Sequence, residues 1–221
     1  MKINVLTAII ISSVVGALSC SNETVGPDEE VPSDVLIPLS DTYETLRKRT
    51  VYVDGKVDTT FNYESGVTKS IMFNGSKWYG YTEDAIVFFT NKPDGFHILH
   101  RPLEKQSLLY KYPAVAGESY DTFTFQGSSN DIDAFDENNI TAFEMLIIDN
   151  NATVTQPTTG ITYTGLLHVQ KPTATVSTKG RIAPAEWYIK PGTGTVLFRS
   201  YSDNSLTTLQ LEEEFLEIIS N

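Results

Sequence analysis

Between residues 50 and 62 the sequence TVYVDGKVDTTFN sets Asp54-Gly55 between two runs of β-branched and aromatic residues, and no other local signal constrains the fold as strongly. A type I′ hairpin turn needs positive φ at both central positions. Asp-Gly adopts this at low steric cost and matches the twist of the flanking strands. The device recurs over residues 67–81, VTKSIMFNGSKWYGY, with Asn74-Gly75 at the turn. A third hairpin is expected from residues 85–90 and 96–101, joined by the five-residue loop Asn91-Lys92-Pro93-Asp94-Gly95, whose proline and glycine suit a longer connection.

Further strands are expected at residues 107–112, 119–126, 140–148, 161–170, 186–190, 195–201 and 206–218. Two of these contain good helix formers: 140–148, and the acidic end LQLEEEFLEII, which fits neither a period of 3.6 nor a period of 2 cleanly. Both read as strands, because their neighbours are hairpins. About ten short antiparallel strands imply an all-β fold in one domain, a curled up-and-down sheet or half-barrel, with a β-sandwich as the alternative.

The chain starts with a basic Lys2, an apolar run from Val5 to Leu18, and Ala17-Leu18-Ser19 leading into Cys20, the only cysteine. The run suits a secretory signal peptide over residues 1–19 and is short for a spanning helix. It resembles the lipobox of bacterial lipoproteins. That resemblance implies cleavage before Cys20 and acyl chains, palmitate among them, on the new first residue, which would hold the body to a membrane. With its one thiol acylated, the exported chain would fold without disulfides.

Residues 21–46 carry seven acids and no base, with Pro27, Pro32 and Pro38 interleaved. Like charges and prolines oppose collapse, so residues 20–40 read as an acidic flexible tether and residues 41–221 as the β domain. An acidic stretch after the lipid cysteine also resembles the export signal of surface lipoproteins in the Bacteroidota, and Ser21 is compatible with outer-membrane sorting. Sixteen Lys and Arg against 28 Asp and Glu give a net charge of −12. Nucleic acid is therefore not an expected partner, and Arg47-Lys48-Arg49 reads as a solvated strand start.

Three phrases carry a family resemblance: LYKYPAVAGESY (109–120), VTQPTTGI (154–161) and WYIKPGTGTVLF (187–198). With them the chain resembles Bacteroidota-type outer-membrane lipoproteins, distantly similar to the curved-sheet carriers of lipoproteins and lipids in the periplasm. The resemblance implies a curved antiparallel sheet and brings no catalytic residue with it. Pro113, Gly117, Pro191, Gly192 and Gly194 in these phrases set backbone angles.

Signals for chemistry are few. His97 and His100, three apart on a strand, point to opposite faces and read, like His168, as surface or half-buried side chains. Hydrolase, zincin and dinucleotide signatures are absent from the sequence, and no cofactor is indicated. The loop SSNDIDAFDENN brings together Asp131, Asp133, Asp136 and Glu137, hard oxygen ligands that suit calcium, with Asp149-Asn150-Asn151 as a neighbouring oxygen source. An EF-type loop would need an oxygen and then glycine where Phe135 and Asp136 stand, so the alternative is a solvated acidic loop.

Trp78, Tyr79, Tyr81, Trp187 and Tyr188 are the candidate ligand-binding aromatics; alternation puts Tyr79 and Tyr81 on one face and Trp78 on the other. Asp58-Thr59-Thr60 resembles the short O-glycosylation signal of exported Bacteroidota proteins. The expectation is a non-enzymatic lipoprotein, exported and lipid-anchored at the outer membrane, facing the periplasm or the cell surface. Its role would be structural, or the binding of a small hydrophobic or glycan ligand. The alternative is a glycan-directed hydrolase using paired carboxylates such as Glu83 and Asp84 with Glu118.

Overall fold

Strand β1 (Glu44–Val53) turns back through Asp54 and Gly55, at φ 50° and 72°, into β2 (Lys56–Gly66). Asn74 and Gly75, at φ 48° and 76°, join β3 (Lys69–Phe73) to β4 (Ser76–Gly80) in the same way. The computed structural model describes residues 35–125, 136–177 and 180–219. The signal segment, Cys20, most of the tether, Asp131 and Asp133 lie outside them.

The third hairpin, β5 (Val87–Lys92) with β6 (Gly95–His100), is tighter than the sequence suggests. Asn91 pairs with Phe96 and Lys92 with Gly95, which leaves Pro93-Asp94 as the turn. The shorter turn depends on Gly95, at φ 139°, where a Cβ would stand 2.1 Å from the Tyr110 carbonyl oxygen. Strand β7 (Lys105–Lys111) completes a five-stranded meander in the order β3-β4-β5-β6-β7.

After a corner containing the cis Tyr112-Pro113 bond, β8 (Ser119–Phe125) begins the second sheet at its far edge. Next come β9 (Ile140–Thr155), β10 (Thr162–Lys171), the small β11 (Thr175–Ser177) and β12 (Gly180–Ile182) hairpin, β13 (Ala185–Lys190), β14 (Gly194–Tyr201) and β15 (Leu209–Ile219). The large sheet runs β2-β1-β15-β14-β13-β10-β9-β8, all antiparallel, so the last strand pairs with the first. Both β2 and β8 are edges, so the sheet is not closed into a barrel. The fold is all-β, with fifteen strands and a single 3-10 turn at Glu137–Asn139 among the described residues. The two strands beyond the spans expected from the sequence, β11 and β12, form a short hairpin that carries little apolar pattern.

One core joins the sheets. Phe96 and Tyr110 from the meander pack with Met145, Ile147, Val169 and Ile189 from the large sheet. The large sheet also buries its other face: Leu166, Val196 and Phe215 form a second cluster there. Gln156, which ends the β9–β10 hairpin, is fully buried on that side; its amide donates to the carbonyls of Val196 (2.8 Å) and Phe215 (2.7 Å).

The helix-prone end LQLEEEFLEII becomes β15 because its three consecutive glutamates, Glu212 to Glu214, each gain a partner available only in the sheet. Arg199 holds Glu212 at 2.8 Å, Arg49 pairs with Glu213, and the Thr158 and Thr159 amides donate to Glu214. Tertiary pairing here outweighs a propensity difference of a few tenths of a kcal/mol per residue.

Part of the segment expected to be a tether is packed. Residues 35–40, read as its last part, form a strap between the sheets: Gly192 of the β13–β14 turn donates to the Val35 carbonyl (2.8 Å), and the Asn91 amide of β5 donates to the Ile37 carbonyl (2.8 Å). Leu36 is 1% exposed and Ile37 7%. Burial of such side chains contributes roughly 1.5–3 kcal/mol each and outweighs the acidic surroundings that suggested an open chain.

Candidate ligand cavity between the sheets

Alternation along the meander sends Phe89 of β5, Phe96 of β6 and Tyr110 of β7 toward the large sheet, which answers with Trp187 of β13 and Phe198 of β14. The rings form one connected chain. Tyr81 meets Phe89 edge-on at 5.6 Å, Phe89 stacks on Phe96 at 5.6 Å and 5°, and Phe96 stacks on Tyr110 at 5.9 Å and 12°. Tyr110 then meets Trp187 at 6.0 Å, and Trp187 meets Phe198 at 5.3 Å. These offset and tilted arrangements suit the ring quadrupoles.

Beside this wall lies a cavity of about 370 Å³, at the lower end of the roughly 300–1,000 Å³ typical of small-molecule sites. Its far side is built from β1, β2, β14 and β15, and the strap contributes Ile37. The lining carries one cation, Arg47, and one carboxylate, Glu213.

These two charges are not paired with each other. Glu213 is held by Arg49, whose Nε lies 2.7 Å from the carboxylate and whose guanidinium stands 4.8 Å from the centre of the Tyr63 ring. Arg47 spends its donors on neutral acceptors: Nε on the Thr45 hydroxyl (3.2 Å) and Nη1 on the Thr195 carbonyl (3.0 Å). Burial pushes the phenols of Tyr43, Tyr81 and Tyr110 above their ordinary range, and the Arg47 charge opposes that rise at each of them. All three therefore remain protonated hydroxyls at neutral pH. The cavity thus offers an apolar aromatic body, phenol groups and one guanidinium.

No family model matches the chain, and no curated protein does either. Two solved structures are similar to it. One, from Bacteroides fragilis, is described as an exported protein with a YmcC-like fold; it is 14% identical, the match covers 85% of this chain and 100% of that one, and the TM-score is 0.41. The other, from Parabacteroides distasonis, is described as a lipoprotein; it is 15% identical, with 84% and 99% covered and a TM-score of 0.39. Likeness at this level carries no argument about what this chain does.

Of the aromatics singled out in the sequence, Tyr81 and Trp187 line the cavity. Trp78 is 1% exposed in a separate cluster with Phe88 and Leu99, and Tyr79 lies under the Lys77 ammonium, 5.3 Å from the ring centre. Tyr188 faces the opposite side of the large sheet, stacked on His168 at 4.1 Å. Arg47 corrects the reading of the basic triplet as a solvated strand start. Odd-numbered residues of β1 turn inward, so Arg47 reaches the cavity and Arg49 reaches Glu213. Phe89, Phe96, Tyr110 and Phe198 lie on recognisable strands, but which of their faces meets the other sheet is a tertiary fact.

The histidine reading is corrected at two positions. His97 is 9% exposed and bonded to Asp94 at 2.8 Å. His100 is fully buried and stacked on Phe125 at 4.4 Å. Both belong to β6, an interior strand of the meander buried along its whole length, and burial together with the Lys105 charge holds His100 below the usual histidine range.

Of the proposed calcium ligands that are described, Asp136 accepts from the Asn138 amide at 2.9 Å and Glu137 pairs with Lys105 at 3.1 Å. Among the described residues no group of three His, Cys, Asp or Glu is placed to hold a metal. Glu83 and Asp84 are exposed in the β4–β5 turn, and Glu118 pairs with Lys111 at 2.9 Å. None of the three lines the inter-sheet cavity. The bond from Lys111 and the Val115 amide lower the Glu118 pKa, the reverse of what a general acid requires. Asp58, Thr59 and Thr60 are exposed on the edge strand β2.

Proposed function

We propose that this chain is an exported, non-enzymatic lipoprotein held at the outer membrane by acyl chains on Cys20, and that its β domain binds a small hydrophobic ligand between the two sheets. The observation that carries this reading is the cavity of about 370 Å³ faced by six contacting aromatic rings. A packed sandwich would fill this space; an apolar ligand can recover the burial left unused, about 25 cal/mol per Å². The continuous row of aromatic rings along one wall favours a ligand with an apolar body.

The test uses protein extracted from membranes, with mass analysis for acyl groups on Cys20, beside the full chain carrying Cys20→Ser for binding. N-phenyl-1-naphthylamine, a neutral probe that brightens in apolar sites, is expected to bind one to one. Thr195→Phe, which fills the cavity from β14, is expected to weaken it at least tenfold while the β-sheet circular dichroism is kept. Equal binding to both proteins would place the probe elsewhere and overturn the reading, and a Cys20 without lipid would overturn the anchor.

A further inference from the structure

The charges in the cavity wall do not cancel locally. Two arginines, Arg47 and Arg49, project from the same face of β1, and one glutamate, Glu213, faces them from β15. Arg49 takes the glutamate, with its Nε at 2.7 Å. Among the described residues no carboxylate lies within ion-pairing distance of Arg47, although it is half-buried against tyrosines. A cation drawn partly out of water beside apolar rings is costly unless an anion meets it.

On this basis, and resting on the reading that the cavity takes an apolar ligand, we infer that the ligand is an amphipathic carboxylate whose head pairs with Arg47 and whose apolar body lies along Phe96, Tyr110 and Trp187. Thr45 and Thr195 engage Nε and Nη1, and the Tyr43 phenol bonds to the same side chain, so the guanidinium is fixed in orientation with its positive charge in the cavity wall, where it can meet the head. The Tyr81 hydroxyl stays protonated and can donate to a carboxylate oxygen, whereas the Tyr43 hydroxyl donates to the Thr193 carbonyl at 3.1 Å. Glu213 argues against a doubly charged phosphate, because its carboxylate lines the same space and would repel the second charge.

The inference is tested by displacement of N-phenyl-1-naphthylamine from the full chain carrying Cys20→Ser, using decanoate, 1-decanol and decyl phosphate at pH 7.5. Decanoate is expected to bind at least tenfold more tightly than decanol and more tightly than decyl phosphate. Arg47→Gln is expected to weaken decanoate at least tenfold and leave decanol within twofold. The comparison of the three ligands needs no substitution, so it stands even if Arg47→Gln fails to fold. Equal affinity for decanoate and decanol would overturn the role of Arg47, and tighter binding of decyl phosphate would overturn the carboxylate. In either case the probe remains bound in the cavity and the broader reading survives, whereas a probe that never binds removes both.

Discussion

Gln156→Leu is expected to lower the free energy of unfolding by about 2–5 kcal/mol, seen as a fall in the urea midpoint with the slope unchanged. The pairing of β14 with β15 runs from Tyr201–Leu209 to Leu197–Glu214 and then stops. Val196 is skipped in the ladder with β13, which steps from Leu197 to Thr195 opposite Tyr188 and Ile189. Gln156 supplies the missing donors, its one amide nitrogen serving both the Val196 and the Phe215 carbonyls. Its own oxygen accepts from the Thr159 hydroxyl at 2.5 Å.

Leucine has a similar volume and no donor. Two buried carbonyls would then be left without partners, each costing about 1–3 kcal/mol. Thr159→Val removes one bond at the rim of this arrangement and should cost clearly less. Equal effects from the two substitutions would show that Gln156 acts only through packing.

A second large effect is expected in the pH dependence of stability. Lys171, at the end of β10, is 1% exposed; its ammonium donates to the Thr173 and Ile182 carbonyls and lies 5.4 Å from the Phe143 ring centre. Burial, with the Arg181 charge, pushes its pKa down to about 8, against about 10.4 in an unfolded chain. Between those values the unfolded chain holds a proton that the folded chain has released, so the Lys171 contribution to stability rises with pH above about 8.

By pH 9 the rise is expected to reach about 1 kcal/mol. Above about pH 9 the tyrosines oppose it and then reverse it. Burial raises the pKa of Tyr81, Tyr110, Tyr120 and Tyr201, so ionisation of the unfolded phenols then favours unfolding. Urea titrations at pH 7.5, 8.25 and 9 should show the climb in the parent protein and a nearly flat profile in Lys171→Met. A climb that persists in Lys171→Met would assign it to another group.

What the sequence made legible was local. Asp54-Gly55 and Asn74-Gly75 fix their hairpins within four residues, and the turns form as read. The β15 segment could be read as strand only from its neighbours, since the partners of Glu212, Glu213 and Glu214 come from β14, β1 and the β9–β10 loop. The strap at residues 35–40 was hidden by the acids and prolines around it, because two apolar residues are enough once both sheets receive them. The cavity was half legible. Tyr81 and Trp187 stand out as aromatics near turns, whereas the place of Arg47 depends on the inward face of β1 and on Arg49 having taken the nearby carboxylate.

The chain has two tryptophans, one in the cavity wall and one in a separate cluster, so its two indole N–H signals report on the central claim directly. In a nitrogen–proton correlation spectrum of the full chain carrying Cys20→Ser, titration with decanoate is expected to move the Trp187 signal to saturation and leave the Trp78 signal in place, with Trp187→Phe assigning the pair. A Trp187 signal that stays still, or two signals that drift together without saturating, would contradict a ligand site between the sheets.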